Sequence, residues 1–219
     1  MTYLFCAHRD WALELYKSLS KKYKNMILLS EPKKFKISYI KRINPKFIFF
    51  PDWSWIVPKI ILKNYKCVCF HESDLPKFKG GSPIQNQIIR GIKKTKTTAF
   101  LMNEKIDSGD ILMKYPLLLE GSLDDIFNRM KKNDYKMIVR IINSDYKIQK
   151  QKGHSTYVKR RKPEQSALDI NQSKEYIYNF IRMLADPYPN AFIKIGKHKI
   201  IFKSAKLDNG RLSFKGEIE

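Results

Sequence analysis

Short apolar runs separated by amphipathic stretches set the rhythm of the first half of the chain. Thr2-Tyr3-Leu4-Phe5-Cys6-Ala7 reads as a strand, and Trp11, Leu15 and Leu19 then recur at four-residue spacing along one helix face, with Asp10 placed to cap that helix. A strand over 25–29, a basic helix over 36–43 and a strand over 46–50 continue the alternation. Pro58 suits the first turn of a short helix running to Leu62, because its missing N–H would be unpaired there anyway. Lys66-Cys67-Val68-Cys69-Phe70 is the next buried strand. After it come a Pro/Gly loop, a helix from Pro83 to Arg90 capped by Ser82 and stopped at Gly91, and a strand over 97–102. This β-α-β alternation predicts an α/β fold with a doubly wound, mostly parallel sheet and helices on both faces.

Beyond residue 120 the period changes. Ser122-Leu123-Asp124-Asp125 has the form of a capping box, and Ile126, Met130, Met137, Ile138 and Ile141 mark the core face of a long helix. Ser173 caps a further helix through Tyr176, Ile177, Phe180, Ile181 and Leu184, which Asp186-Pro187 stops. Runs at 191–195, 198–202 and 211–214 read as short antiparallel strands turning at Gly196 and Asn209-Gly210. The expected organisation is a main domain over 1–150 and a small C-terminal α+β appendage over 151–219.

Composition narrows the class. With 219 residues, 43% of them hydrophobic and 13% aromatic, the chain can bury a real core. Its longest apolar runs fall far short of the ~18 residues of a membrane span, and Met1-Thr2-Tyr3-Leu4-Phe5 lacks the basic-then-apolar order of a signal peptide. A soluble cytoplasmic protein is expected. Cys6, Cys67 and Cys69 sit in strand-like runs and read as free thiols of a reducing compartment; a metal site would need more ligands. The net charge of +22 invites a nucleic-acid partner, but the lysines are dispersed, with Lys159-Arg160-Arg161-Lys162 the one local cluster. An anionic small molecule such as a nucleotide diphosphate is therefore preferred over RNA or DNA.

The turn after the first strand, His8-Arg9-Asp10, contains no glycine, which argues against the G-x-G-x-x-G turn of a nicotinamide-binding domain. Ligands in open α/β sheets still gather beyond the carboxyl ends of the strands, so His8, Arg9 and the loop after Phe50 are ligand candidates; a solvated turn is the competing reading of Arg9. Trp53 and Trp55 in that loop either plug the core or wall a flat ligand's pocket. His71, at the end of a buried strand, is a candidate acid, base or oxyanion donor. Asp107 or Asp110, in the turn Ile106-Asp107-Ser108-Gly109-Asp110, could orient it.

Taken together, His71, Leu75-Pro76, Gly80, Pro83 and Asp107-Ser108-Gly109-Asp110 resemble the 10-formyltetrahydrofolate-dependent formyltransferases, whose pattern is approximately Asn-x-His-x-x-x-Leu-Pro, a Gly-rich loop, and Asp-x-Gly-Asp after the next strand. Arg160-Arg161-Lys162-Pro163-Glu164 and the stretch from Ile181 to Phe192 are similar to the methionyl-tRNA and amino-sugar branches. The resemblance implies a formyltransferase-like Rossmann variant with His71 and Asp107 as the catalytic pair, and the folate beside Trp53, Ser54, Trp55, Ile56, Ile106 and Asp110. Arg9 and Ser82 would face the acceptor. Cys69 stands where the family has an asparagine that binds the formyl oxygen, and a thiol is a far weaker donor. The expected reaction is N-formylation of a nucleotide-linked, UDP-4-amino sugar, since the residues from Phe192 to Glu219 look too few for a tRNA-binding barrel. Methionyl-tRNA formylation and a non-catalytic basic nucleic-acid-binding module are the alternatives, with homodimerisation left open.

Overall fold

The computed structural model describes residues 1–219. Its elements follow in chain order as β1 Tyr3–Ala7, α1 Asp10–Lys22, β2 Met26–Leu29, α2 Ile37–Ile43, β3 Phe47–Asp52, α3 Lys59–Asn64, β4 Cys67–His71, β5 Lys79–Gly80 and α4 Pro83–Ile88. After these come β6 Lys94–Leu101, β7 Ile111–Leu118, α5 Leu123–Ile142, β8 Tyr157–Val158, α6 Lys174–Met183, β9 Ala191–Ile195, β10 His198–Asp208 and β11 Arg211–Ile218. Six strands form one sheet in the order β2-β1-β3-β4-β6-β7. The first four are parallel, and β6 and β7 join antiparallel, so the sheet is mostly parallel as expected.

Strand alternation builds the two faces. Tyr3, Phe5, Phe47, Phe49, Val68 and Phe70 pack into a cluster of 33 buried residues with α1 and α5. Leu4, Cys6, Ile48, Phe50 and Cys67 pack on the opposite face with Ile40 of α2 and Ile61 of α3. The larger cluster also contains Leu168, Phe180, Ile181, Ala191 and Phe202, so the C-terminal segment shares a core with the sheet domain. Its strands pair β11-β10-β9 and run longer than expected, turning at Gly196 and Asn209-Gly210.

Three local readings are corrected. Arg9, not Asp10, occupies the N-cap of α1, and its N–H donates to Asp52 Oδ2 at 2.9 Å, so a carboxylate from β3 caps the helix from outside. Ser82 stands at the start of α4 in the left-handed region, φ 53°, without capping it; its Oγ accepts the Arg161 N–H instead, at 3.1 Å. The strand β7 had no sequence signal of its own, because Pro116 and two lysine- or tyrosine-bearing positions break its alternation. Ser122 and Asp125 do form the reciprocal capping box of α5.

Candidate active site

The cleft that holds the chemistry lies at the carboxyl ends of β1, β3 and β4 and encloses about 550 Å³. His71 ends β4 at 6% exposure. Its Nε2 is 2.8 Å from the Phe78 carbonyl oxygen, which can only accept, so Nε2 carries the proton. Nδ1 then faces Asp107 Oδ2 at 3.6 Å. Nδ1 is therefore left free of any protein hydrogen bond and is turned to the Asp107 side of the cleft.

Asp107 is fixed from several directions. Its Oδ2 accepts the Gly80 N–H at 2.7 Å, and Gln151 Nε2 donates to the carbonyl oxygens of Asp107 and Gly109 at 2.8 and 2.9 Å. The buried Lys79 ammonium donates to Ser108 Oγ at 3.1 Å. Asp107 itself adopts φ 47°, and a Cβ on Gly109 would lie 1.6 Å from the Leu101 carbonyl oxygen, so only glycine lets the turn fold back onto β6. Asp110 is not among the residues lining the cleft; its carbonyl oxygen accepts the Leu101 N–H and continues the sheet, which separates it from the ligand role expected of it.

Cys69 lines the cleft beside the pair, and burial together with the nearby Asp107 and Glu72 carboxylates pushes its thiol well above the ordinary range. It stays protonated, a weak donor and no nucleophile. On the α3 side the wall is made by Phe50, Trp53, Ile56, Val57, Leu62, Met102 and Ile106. Trp53 packs edge-on against Phe50 and Trp55, and its buried Nε1 has no partner. Trp55 is 43%, Ile56 95% and Ile106 70% exposed. Large apolar groups presented at a cleft mouth favour wall over plug.

On the α1 and α5 side the cleft is lined by Arg9, Trp11, Glu72, Gln85, Phe127, Met130 and Tyr188. Arg9 is ion-paired to the buried Asp52 and lies over the Tyr188 ring at 5.4 Å, so it is held in the cleft wall and is not a solvated turn. The pairing of β5 with β8 brings Arg160 and Arg161 against Gly80, Gly81 and Ser82, and all five line the cleft. Sequence reasoning left out Asp52, Lys79 and Glu72. Only Asp52 carried a signal, as an acid at the end of a buried strand. A second hollow of about 720 Å³ over Leu75, Ile111 to Lys114, Gln149, Lys150 and Lys152 has no histidine or carboxylate for proton transfer. No helix is long and apolar enough to cross a membrane.

Parallel strands delivering a histidine to a carboxylate beside an apolar cleft define a group-transfer site on a Rossmann-like sheet. The family model for formyl transferase matches residues 20–142, and that for the C-terminal domain of methionyl-tRNA formyltransferase matches 163–219. The chain belongs to the formyltransferase family. The solved methionyl-tRNA formyltransferase from Clostridium thermocellum is 40% identical, with a TM-score of 0.96 over 100% of this chain and 99% of that one. The bifunctional polymyxin resistance protein ArnA of Wigglesworthia glossinidia brevipalpis is 35% identical over 81% of this chain and 30% of its own length. The methionyl-tRNA formyltransferase of Hydrogenobaculum sp. is 30% identical over 86% and 68%. Across the curated relatives the chain spans between about a third and two thirds of their length.

These findings correct the amino-sugar expectation. A sugar N-formyltransferase structure from Shewanella sp. is only 16% identical, TM-score 0.74, and carries the fold alone. The argument that the tail is too short for the tRNA branch also fails, because that tail is what matches the tRNA enzyme's C-terminal domain. HypX from Aquifex aeolicus, solved in complex with tetrahydrofolic acid, shares the fold at 17% identity and TM-score 0.82.

Proposed function

We propose that this protein transfers a formyl group from 10-formyltetrahydrofolate to the amino group of methionyl-tRNA. The observation that carries the reading is the match at 40% identity across this chain to a solved methionyl-tRNA formyltransferase, joined to a cleft lined by Arg9, Arg160, Arg161 and Lys105. Such a rim suits a polyanion.

The α3 side of the cleft suits a flat, partly polar ring: Trp53, Val57, Leu62 and Met102 supply apolar wall, and Trp53 Nε1 supplies an unused donor. Folate bound there would supply the formyl group. The chain's residues do the rest. His71 Nδ1 takes a proton as the amine attacks, and Asp107 stabilises the resulting imidazolium. That charge, with the Cys69 S–H, faces the negative charge developing on the formyl oxygen. His71 then returns its proton to the folate nitrogen.

The test incubates the protein with 10-formyltetrahydrofolate and methionyl-tRNA and reads formyl-methionine by mass after deacylation. Formylation that disappears in Asp107→Asn supports the reading. Formyl gain on a nucleotide-linked amino sugar, with none on methionyl-tRNA, overturns it.

A further inference from the structure

Behind His71, on the α1 and α5 side, lies a group of polar side chains that the chemistry above does not use. Asp134 of α5 is fully buried, and both its carboxylate oxygens lack a hydrogen-bond partner. The Nε2 of Gln85, 3% exposed, and the Nε1 of Trp11, 8% exposed, are likewise unpartnered, and both side chains line the cleft. Gln85 lies beside the Tyr188 hydroxyl, toward which its amide is turned as a donor. Glu72 follows His71 directly, lines the same recess and lies within electrostatic reach of Asp134. Buried donors left open at the cleft wall beside the Glu72 carboxylate point to a ligand that brings both an acceptor and an N–H. An amine next to an ester carbonyl is such a ligand: N–H for Glu72, C=O for Gln85 and Trp11.

We infer that this recess receives the acceptor's amino group and that Glu72 is the base that deprotonates it before attack. The inference rests on the amine-formylation reading above. An amino group arrives as R–NH₃⁺, which has no lone pair to offer. Glu72 carboxylate takes one proton, giving R–NH₂ and a neutral carboxylic acid. The amine lone pair forms the new C–N bond while the bond between the formyl carbon and the donor nitrogen breaks. The second amine proton travels through His71 to that nitrogen. Glu72 then releases its proton through the cleft mouth, so the sum is one formyl moved and one proton freed.

The surroundings fit the role. Burial raises Glu72 to about 7, against the lowering pull of His71 and Arg9 and with a raising push from Asp52. Asp134, raised well above the ordinary carboxylate range by burial and then by Glu72, stays neutral, so Glu72 carries the one negative charge of the two. Tyr188 and Cys69, whose own groups are also raised by burial, complete the titratable neighbours. A base with a midpoint near the working pH is half available and still strong enough to accept.

The experiment measures kcat/KM for methionyl-tRNA from pH 6 to 9 in wild type, Glu72→Gln and Glu72→Asp. It is paired with carbon NMR of the glutamate carboxyls in wild type minus Glu72→Gln. A loss of about tenfold in Glu72→Gln at pH 6.5 is expected. That loss narrows toward wild type as pH passes ~8, where an α-amine deprotonates in solution unaided. Glu72→Asp should recover part of the rate at pH 6.5, and the difference spectrum should show one carboxyl with its midpoint near 7. A pH-independent loss, no loss, or a midpoint in the ordinary glutamate range overturns the inference. Wild type that formylates no methionyl-tRNA sinks the acceptor, not Glu72. The NMR midpoint then decides alone: near 7 the base stands, below about 5 it falls.

Discussion

The two sides of the β4 tip are one residue apart and are built on opposite terms. Around His71 most polar groups have a partner: Phe78 O for Nε2, Gly80 N–H for Asp107, and Ser108 for Lys79, with Nδ1 alone left facing Asp107 at 3.6 Å. Around Glu72 several do not: Asp134, Gln85 Nε2 and Trp11 Nε1 are buried and open. The first arrangement is complete before any ligand arrives, which is what a preorganised reaction centre needs. The second leaves Gln85 Nε2 and Trp11 Nε1 without a partner from the chain itself, which is what a binding recess requires. Losing a group on the first side should therefore damage chemistry without gain, and losing one on the second side should alter selectivity, pH response or stability.

The largest effect tests the first side. His71→Ala should lower kcat by about 10³-fold or more across the whole pH range, with a lowered thermal midpoint from the lost ring and its hydrogen bond to Phe78 O but a folded protein at assay temperature. A residual rate within tenfold of wild type would move the reaction centre away from the β4 tip. Gly109→Ala attacks the same side through the backbone, since its new Cβ would meet the Leu101 carbonyl at 1.6 Å. The turn carrying Asp107 would have to move, with activity falling by ~10²-fold and local hydrogen exchange rising around 106–110.

A weaker, sign-reversing effect tests the second side. Asp134 is raised above its unfolded-state pKa, so its contribution to stability is fully present below about pH 4 and is lost as pH rises toward its folded value. Asp134→Asn removes that titration. It should stabilise the fold at pH 7.5 and change it far less at pH 4, read from denaturant midpoints at the two pH values. Equal shifts at both would mean that the buried carboxyl is not held neutral.

How far the sequence reached follows from the same contrast. Most of the strands, the start of α5 and the His71 candidate were legible, because period, capping chemistry and the end of a buried strand are local signals, whereas Asp107 was chosen over Asp110 by the family resemblance. Arg160 and Arg161 were legible only as a segment; their position against Gly81 comes from the β5–β8 pairing, which joins residues almost 80 apart. Asp134 did leave a trace. It falls four residues after Met130 and three before Met137, on the buried face of α5, and an acid there breaks the apolar stripe. Glu72 left none, for a single acid after a strand becomes informative only when burial is known. Of the basic residues lining the cleft, Arg9, Arg160 and Arg161 stand out in the sequence, and Lys105 alone is among the dispersed lysines.

The smallest predicted effect separates stability from site altogether. Ser122 caps α5 by accepting the Asp125 N–H at 3.1 Å, and Asp125 Oδ2 accepts the Ser122 N–H at 2.9 Å. This box is exposed and lies three turns of helix away from Asp134, although both sit on α5. Ser122→Ala should cost about 1 kcal/mol of stability, at the same value for pH 6 and 8, and leave kcat and KM unchanged. Were it to shift the pH profile of turnover, α5 would be transmitting strain from its end to the recess, and the recess could no longer be treated as a site tuned by its own neighbours.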